Sequence, residues 1–327
     1  MTLDRLHRSH PALWLAIAFS VLALVTFGHL PGTGRWAAEL NDFAHGPAFA
    51  VVTLALISLS WQGPNRPRSV LRAYVGAMTA AVLLGAIIEL LQRAIGRDAS
   101  LSDLGKDALG VLAAAGTLMF FDPRVRALSR GRIIRGTALL VAIVSTAALI
   151  GPLALTGAAY LHRNRIFPTL VEFGSPVGTY FVVPYGAVSI DQAPLPLGSA
   201  GESASAVALH AQLDGTLPQW GLALWEPSAD WSGYHRLAVD LANPGDASLV
   251  LRMKIRDGTQ VNDRRAGYLG TIELLPGSRT IHRVPLSDLA MASGHARVDT
   301  TMVHSIVLTG DPANRARSFD LVRIWLE

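Results

Sequence analysis

Two hydrophobic patterns follow one another along the chain. Residues 11–160 hold five long apolar runs, near 12–30, 44–62, 73–95, 105–121 and 138–160. Each is close to the roughly 20 residues that carry a helix across a bilayer, so five transmembrane helices are predicted. The run 105–121 is the shortest, and its Gly105, Gly110 and Gly116 suit close packing against other helices. Further on, short strand-like runs recur at 207–213, 221–225, 235–241, 248–256, 271–275, 280–284, 305–308 and 319–326. Asn243-Pro244-Gly245-Asp246, Asp257-Gly258 and Pro276-Gly277-Ser278 punctuate them as turns. About eight antiparallel strands in this length predict a β-sandwich of jelly-roll type.

The expected fold class is therefore a membrane all-α helical bundle joined to an all-β jelly-roll sandwich. Its expected domains are a four-helix membrane domain over 1–122, a basic loop with a fifth transmembrane helix over 123–162, a linker and irregular region over 163–204, and the sandwich over 205–327. The repeated Pro, Gly and Ala between Pro184 and Gly201 are read as irregular loop.

Composition agrees with the pattern. Of 327 residues, 50% are hydrophobic and 16% charged, and the mean hydropathy is +0.35, too apolar for an ordinary soluble chain. The net charge of +4 does not indicate nucleic acid, because the arginines cluster in short loops between apolar runs. Arg5 and Arg8, then Arg66, Arg68 and Arg72, then Arg124, Arg126, Arg130, Arg132 and Arg135 mark the cytoplasmic side. An odd number of spans then leaves the N-terminus cytoplasmic and the C-terminal domain extracytoplasmic, in a multi-pass protein of the inner (cytoplasmic) membrane. The apolar run after Arg8 lacks a small-x-small cleavage signal and is read as a retained helix. Zero cysteines exclude disulfides and thiolate metal sites. No Ser-His-Asp order, Gly-rich phosphate loop, HExxH motif or Cys/His metal spacing occurs, so no cofactor or metal is expected and conventional soluble enzyme classes lack support.

The candidate chemistry lies in a polar set at the predicted outer membrane level. Asp42 and His45 are three residues apart where the second helix is expected to begin, and share one helical face. Glu89 and Gln92 share a face near the end of the third helix, with Arg93 and Arg97 following; Asp103 and Asp107 open the fourth. A carboxylate inside a span is costly unless paired, so Glu89 needs a partner such as His45, Arg93 or Arg97. Structural roles compete with a site: Asp103, after the candidate N-cap Ser102, complements a helix N-terminus, Arg97 complements a C-terminus, and His45 can bridge helices by a hydrogen bond.

The segments Asp42-Phe-Ala-His45 and Gly85-Ala-Ile-Ile-Glu89-Leu-Leu-Gln92, then Arg97, Ser102-Asp103 and Asp107-Ala-Leu-Gly110, resemble the VanZ-like family over about residues 10–122. Asp107 stands where that family favours Asn, and Phe43 where Lys is frequent. The resemblance implies a small multi-helix membrane domain of the cell envelope, in a family whose namesake is associated with resistance to the glycopeptide teicoplanin.

In the second half, Trp231-Ser-Gly-Tyr234, Leu237-Ala-Val-Asp240-Leu, Leu251-Arg-Met-Lys-Ile-Arg-Asp257 and Phe319-Asp320-Leu-Val-Arg-Ile324 resemble galactose-binding-like jelly rolls, including some carbohydrate-binding modules, over about 205–327. Sugar recognition needs exposed aromatic platforms with polar groups beside them, for which Trp220, Trp225, Trp231, Tyr234, Tyr268 and Arg256 are candidates. A Trp on a sandwich strand is more often core, a reading that applies to Trp225 and Trp325, and Asp240 and Asp257 read as turn residues rather than calcium ligands. The expected partners are the lipid bilayer, an envelope glycan or lipid-linked saccharide, and a second copy or another envelope protein. The leading functional expectation is an envelope protein whose bundle anchors a glycan- or protein-binding sandwich, in cell-wall or exopolysaccharide metabolism or antibiotic resistance. The alternatives are a membrane enzyme, in which Glu89 and His45 transfer protons on a lipid-linked or cell-wall substrate held by Arg97, and a transporter.

Overall fold

The computed structural model describes residues 16–23, 34–61, 69–94, 100–186, 188–194, 207–213, 220–261, 263, 265–292, 296–310, 314 and 316–327. The chain forms two compact units, Met1–Thr156 and Gly157–Glu327.

The first unit is helical. Residues 16–23 form α1, followed by α2 (Arg35–Ser60), α3 (Val70–Ala94), α4 (Leu101–Phe121), a single turn α5 (Pro123–Arg126) and α6 (Gly131–Ile166), whose last turns belong to the second unit. Among the described residues, α2, α3, α4 and α6 are long and apolar enough to cross a membrane. The predicted span over 12–30 falls mostly outside the described residues; its helical part packs Ala18, Val21 and Leu22 against Phe49, Val52 and Ile88. Two helix starts differ from expectation. The second helix begins at Arg35, not near Asp42, because the segment Arg35–Asn41 continues the helix through polar positions that hydropathy does not register. The fourth begins at Leu101, and its N-cap is Ser100, not Ser102: Ser100 Oγ accepts from the backbone N–H of Ser102 (3.1 Å) and of Asp103 (3.3 Å).

Small residues set how closely these helices pack. Gly46 of α2 faces Gly110 of α4 so tightly that a Cβ on Gly110 would lie 2.1 Å from the Gly46 carbonyl oxygen. At the far end of α4, buried Asp122 accepts from Tyr74 Oη (3.1 Å) and from Arg124 Nε (3.0 Å), while the Arg124 guanidinium lies 3.9 Å above the Trp61 ring. That buried carboxylate is satisfied by a hydroxyl and a cation, as a low-dielectric site requires.

The second unit is a β-sandwich that starts earlier than predicted. Its strands are β1 (Thr169–Glu172), β2 (Val182–Tyr185), β3 (Val188–Pro194), β4 (Val207–Leu213), β5 (Trp220–Trp225), β6 (Arg236–Ala242), β7 (Leu249–Asp257), β8 (Tyr268–Leu274), β9 (Arg279–Pro285), β10 (Val303–Gly310) and β11 (Ser318–Leu326), with a short helix α7 (Leu286–Met291) after β9. All eight predicted strands are present. The stretch 163–204, expected to be linker, instead contributes three more. One sheet runs β3-β4-β11-β6-β9, with β1 also on β11; the other runs β2-β5-β10-β7-β8, and every pairing is antiparallel. β1 pairs with Arg323–Trp325, past the point where β4 leaves β11 at Leu321, and so completes that edge.

Inward residues from both sheets, including Trp220, Leu222, Leu251, Met253, Ile306, Phe319 and Ile324, form one core that Trp231, from the connection between β5 and β6, joins. Asp240 is not a turn residue. It lies inside β6, is buried, and pairs bidentately with Arg279 of β9 (Nε–Oδ1 2.9 Å, Nη2–Oδ2 2.6 Å). Asp257 does close a turn, accepting from Thr259 N–H (2.9 Å) and Asp299 N–H (2.9 Å).

Candidate functional site

Two places concentrate polar chemistry, one in each unit. In the helical unit, Asp42 and His45 lie on the face of α2 that meets α4. His45 Nδ1 is 3.0 Å from Asp107 Oδ1, and its Nε2 is 4.0 Å from Asp103 Oδ2. Asp42 is bound by Lys106, which also lies 3.5 Å from Asp103. The α2 spacing of three and the α4 spacings of one to four thus interlock as two charged faces.

Glu89 reaches this pair from α3. Its Oε2 accepts from the backbone N–H of Ser100 (2.8 Å), which ties the end of α3 to the start of α4. Its Oε1 is buried without a hydrogen-bond partner among the described residues, and Glu89 as a whole is only 7% exposed. His45, Glu89 and Asp107 are all buried, and each offers one ligand atom within 4.8 Å of the others. Gly85, one turn before Glu89, makes the room: a Cβ there would lie 2.9 Å from Asp107 Oδ2 and 3.3 Å from the Phe49 ring. Gln92 is buried one turn beyond Glu89, and Arg93 is exposed. Arg97 lies outside the described residues. Lys106 and the Ser100 N–H are partners that sequence reasoning did not assign to the cluster. Lys106 had a signal, since it sits between two aspartates four residues apart; Ser100 acts through its backbone and had none.

In the sandwich, the candidate platforms divide. Trp220 and Trp231 are 2% and 0% exposed and belong to the core, so neither is an exposed platform. Trp220 packs over Gly310 and against Phe319, and Trp231 Nε1 donates to Ser228 O (2.6 Å). Tyr234 is half-buried, edge-on to Phe167 at 5.4 Å, and Tyr268 packs against the core from β8. Arg256 is on the opposite, outer face of its sheet.

That outer face is defined by cross-strand rows, because directly paired residues share a face. One row runs Trp225, Ser305, Arg256; the next runs Val183, Ala223, Val307, Lys254, Leu269; the third runs Tyr185, Gly221, Thr309, Arg252, Thr271. In these rows Trp225, Tyr185, Leu269 and the basic side chains of Arg252, Lys254 and Arg256 flank the central Gly221, Ala223, Ser305, Val307 and Thr309. Trp225 is half-buried here, outside the core, with the His304 ring edge-on at 5.5 Å. Trp325, the other tryptophan expected in the core, is likewise half-buried outside it, under the Arg323 guanidinium at 4.3 Å. Among the described residues, Ser305 Oγ and Arg256 Nε are buried without hydrogen-bond partners. Burial, with Arg256 adding to it, holds the His304 imidazole below its ordinary range against an opposing pull from Glu226, and burial foremost also lowers Lys254. Beside Trp225, Glu226 adopts a left-handed φ of 52°, and it is held there by the hydroxyl of Tyr160 and by Arg163 Nη1 donating to its carbonyl (2.8 Å).

Neither a family model nor a curated protein matches the chain. Among solved structures it is similar to an exo-beta-agarase (16% identity, TM-score 0.38), with 49% of this chain matched to 24% of that one. It is also similar to the family 11 carbohydrate-binding module from Clostridium thermocellum in complex with a beta-1,3-1,4-mixed-linked tetrasaccharide (16% identity, TM-score 0.34; 48% of this chain, 93% of that one). A third is the N-terminal endo-1,4-beta-D-xylanase 10B of Clostridium thermocellum complexed with xylohexaose (8% identity, TM-score 0.33; 49% of this chain, 28% of that one). The matched part of this chain is its C-terminal half, and the chain spans about a quarter of the agarase.

Proposed function

We propose that the chain is an integral membrane protein of the cell envelope, in which a VanZ-like helical bundle anchors an extracytoplasmic β-sandwich that binds a glycan. The observation that carries this reading is the row Trp225, Ser305, Arg256. A half-buried indole supplies a stacking surface, and two buried polar atoms beside it, Ser305 Oγ and Arg256 Nε, have no hydrogen-bond partner among the described residues. Buried polar atoms left without partners are costly, and sugar hydroxyls would satisfy both a guanidinium donor and a hydroxyl. The basic side chains of Arg252, Lys254 and Arg256 favour saccharides that bear carboxylate or phosphate groups.

The test is binding of the detergent-purified full chain to an array of neutral and anionic envelope glycans. Binding to at least one anionic glycan is expected, falling at least tenfold in Trp225→Ala and in Arg256→Ala without a change in melting temperature. Absence of binding to every glycan, or full binding by both variants, would overturn the reading.

A second reading has an observation of its own, the convergence of His45, Glu89 and Asp107 in the bundle. It makes the bundle a membrane enzyme acting on a lipid-linked or cell-wall substrate, with these groups moving protons. Glu89→Gln should then abolish the cellular phenotype that depends on the protein while leaving its abundance unchanged; a fully active variant ends this alternative.

A further inference from the structure

We infer that His45, Glu89 and Asp107 form a binding site for one divalent first-row transition ion, with zinc as its best-fitting occupant. The inference goes beyond the glycan reading and stands on residues of the other unit.

Four features of the geometry support it. First, the donors come from three different helices, α2, α3 and α4, so the site is built by the packing of the bundle and not by a chance run of acidic residues. Second, their separations suit coordination. His45 Nδ1 and Asp107 Oδ1 are 3.0 Å apart. Two ligands of a tetrahedral zinc at about 2.0–2.1 Å are separated by about 3.3 Å. All three ligand atoms lie within 4.8 Å of one another, so small side-chain rotations close them around a single ion.

Third, Glu89 is presented as a ligand. The Ser100 N–H holds Oε2 at 2.8 Å, Oε1 is buried with no hydrogen-bond partner among the described residues, and the carboxylate brings an oxygen within 4.8 Å of the His45 and Asp107 ligand atoms. An unpaired carboxylate oxygen inside an apolar bundle is unfavourable unless something positive meets it. The described residues supply His45 for Asp107, and Lys106 lies with Asp42 and Asp103, but neither is bonded to Glu89 Oε1. Two carboxylates and one dication sum to zero charge, which a neutral imidazole leaves unchanged.

Fourth, the surroundings orient the ligands. With Nδ1 turned to the ion, the other ring nitrogen of His45 faces Asp103, 4.0 Å away, in the sense of the carboxylate–histidine–metal arrangement. Gly85 leaves space for Asp107 Oδ2 where any side chain would intrude. The donor set is one imidazole nitrogen and carboxylate oxygens with no thiolate, which excludes soft ions and suits zinc, manganese and ferrous iron. Three protein ligands leave a fourth position of a tetrahedral ion open, the pattern of catalytic rather than structural zinc sites.

The experiment uses the full chain purified in detergent, stripped with chelator and dialysed. Zinc is titrated by calorimetry, and the zinc-loaded protein is examined by X-ray absorption at the zinc edge. We expect one tight equivalent, with one imidazole and oxygen neighbours at about 2.0 Å, and a rise in the melting temperature of the bundle. Glu89→Gln and Asp107→Asn, which preserve side-chain size, should each weaken that equivalent at least tenfold, and Asp42→Asn should not. Zinc bound only through several imidazoles, no tight equivalent in the wild type, or unchanged affinity in both isosteric variants would overturn the assignment. The absorption spectrum is read on the wild type, so the proposal remains exposed to refutation even where a variant does not fold.

Discussion

Replacing Gly110 by alanine tests the packing on which the bundle and its polar cluster depend. The added Cβ would stand 2.1 Å from the Gly46 carbonyl oxygen, 2.8 Å from its carbon and 2.9 Å from its Cα. A carbon–oxygen contact settles near 3.3 Å, so α2 and α4 would have to part by about 1 Å at this point. All three obstacles are backbone atoms, so no side-chain rotation relieves them, and the cost falls at the upper end of overpacking, about 3 kcal/mol. Alanine in place of glycine returns about 1 kcal/mol of helix propensity, which leaves a net loss of about 2 kcal/mol. Gly105→Ala is the matched control: it lies in the same helix with nothing within 4 Å of its Cβ, so it should stabilise by up to about 1 kcal/mol. The assay is thermal unfolding of the full chain in detergent, followed by helical circular dichroism. A fall of about 4–8 °C is expected for Gly110→Ala and none for Gly105→Ala. A Gly110→Ala melting point equal to wild type, or an equal fall in both variants, would refute the reasoning.

Two further predictions concern the sandwich. Arg279→Ala leaves Asp240, which is 4% exposed, without its bidentate partner. Because Arg279 is itself partly exposed, the loss should sit at the low end for a broken buried pair, about 3 kcal/mol; the double variant Asp240→Leu/Arg279→Met should recover most of it, and a single-variant loss no larger than a surface ion pair would count against the assignment. Burial also holds His282 and His304 below the ordinary imidazole range. The unfolded chain therefore takes up protons first, so stability present above about pH 6.5 should decline as the pH falls and level off below the depressed native values. Chemical denaturation across that window should show the slope in the wild type, and its persistence in a His282→Gln/His304→Gln variant would assign it elsewhere.

Much of the sandwich was legible in the sequence because strands such as β7, Leu249–Asp257, alternate buried and exposed positions along their length. β1 to β3 were not. β1 has four residues, β2 contains Pro184, and β3 is an edge strand whose residues are all half-buried or exposed, so none shows a period. The tryptophans were misassigned for a related reason. β5 reads Trp-Gly-Leu-Ala-Leu-Trp, apolar at every position, which hides which parity faces the core. Trp220 and Trp225 are five residues apart, an odd number, so a regular strand sends them to opposite faces. Sequence alone poses that choice; the pairing of Trp225 with Ser305 and Arg256 across the sheet decides it.

The polar cluster was legible as residue types and as helical faces, but not as a contact set. Asp42 and His45 three apart, and Asp103 and Asp107 four apart, predict two charged faces and say nothing about which rows meet. The meeting is set by glycines. Gly46 follows His45, and Gly110 follows Asp107 by three, so the point where α2 and α4 touch backbone to backbone lies immediately beside the His45–Asp107 pair. Gly85 on α3, one turn before Glu89, leaves room instead for two side chains, Asp107 Oδ2 and the Phe49 ring. Each ionisable group thus has a small residue within a turn of it, and close helix approach and polar convergence become one structural feature. It follows that Gly110→Ala should disturb more than stability. A 1 Å separation of α2 from α4 is about half the length of a zinc–ligand bond, so the same substitution that lowers the melting point should also weaken zinc binding, whereas Gly105→Ala should leave it intact.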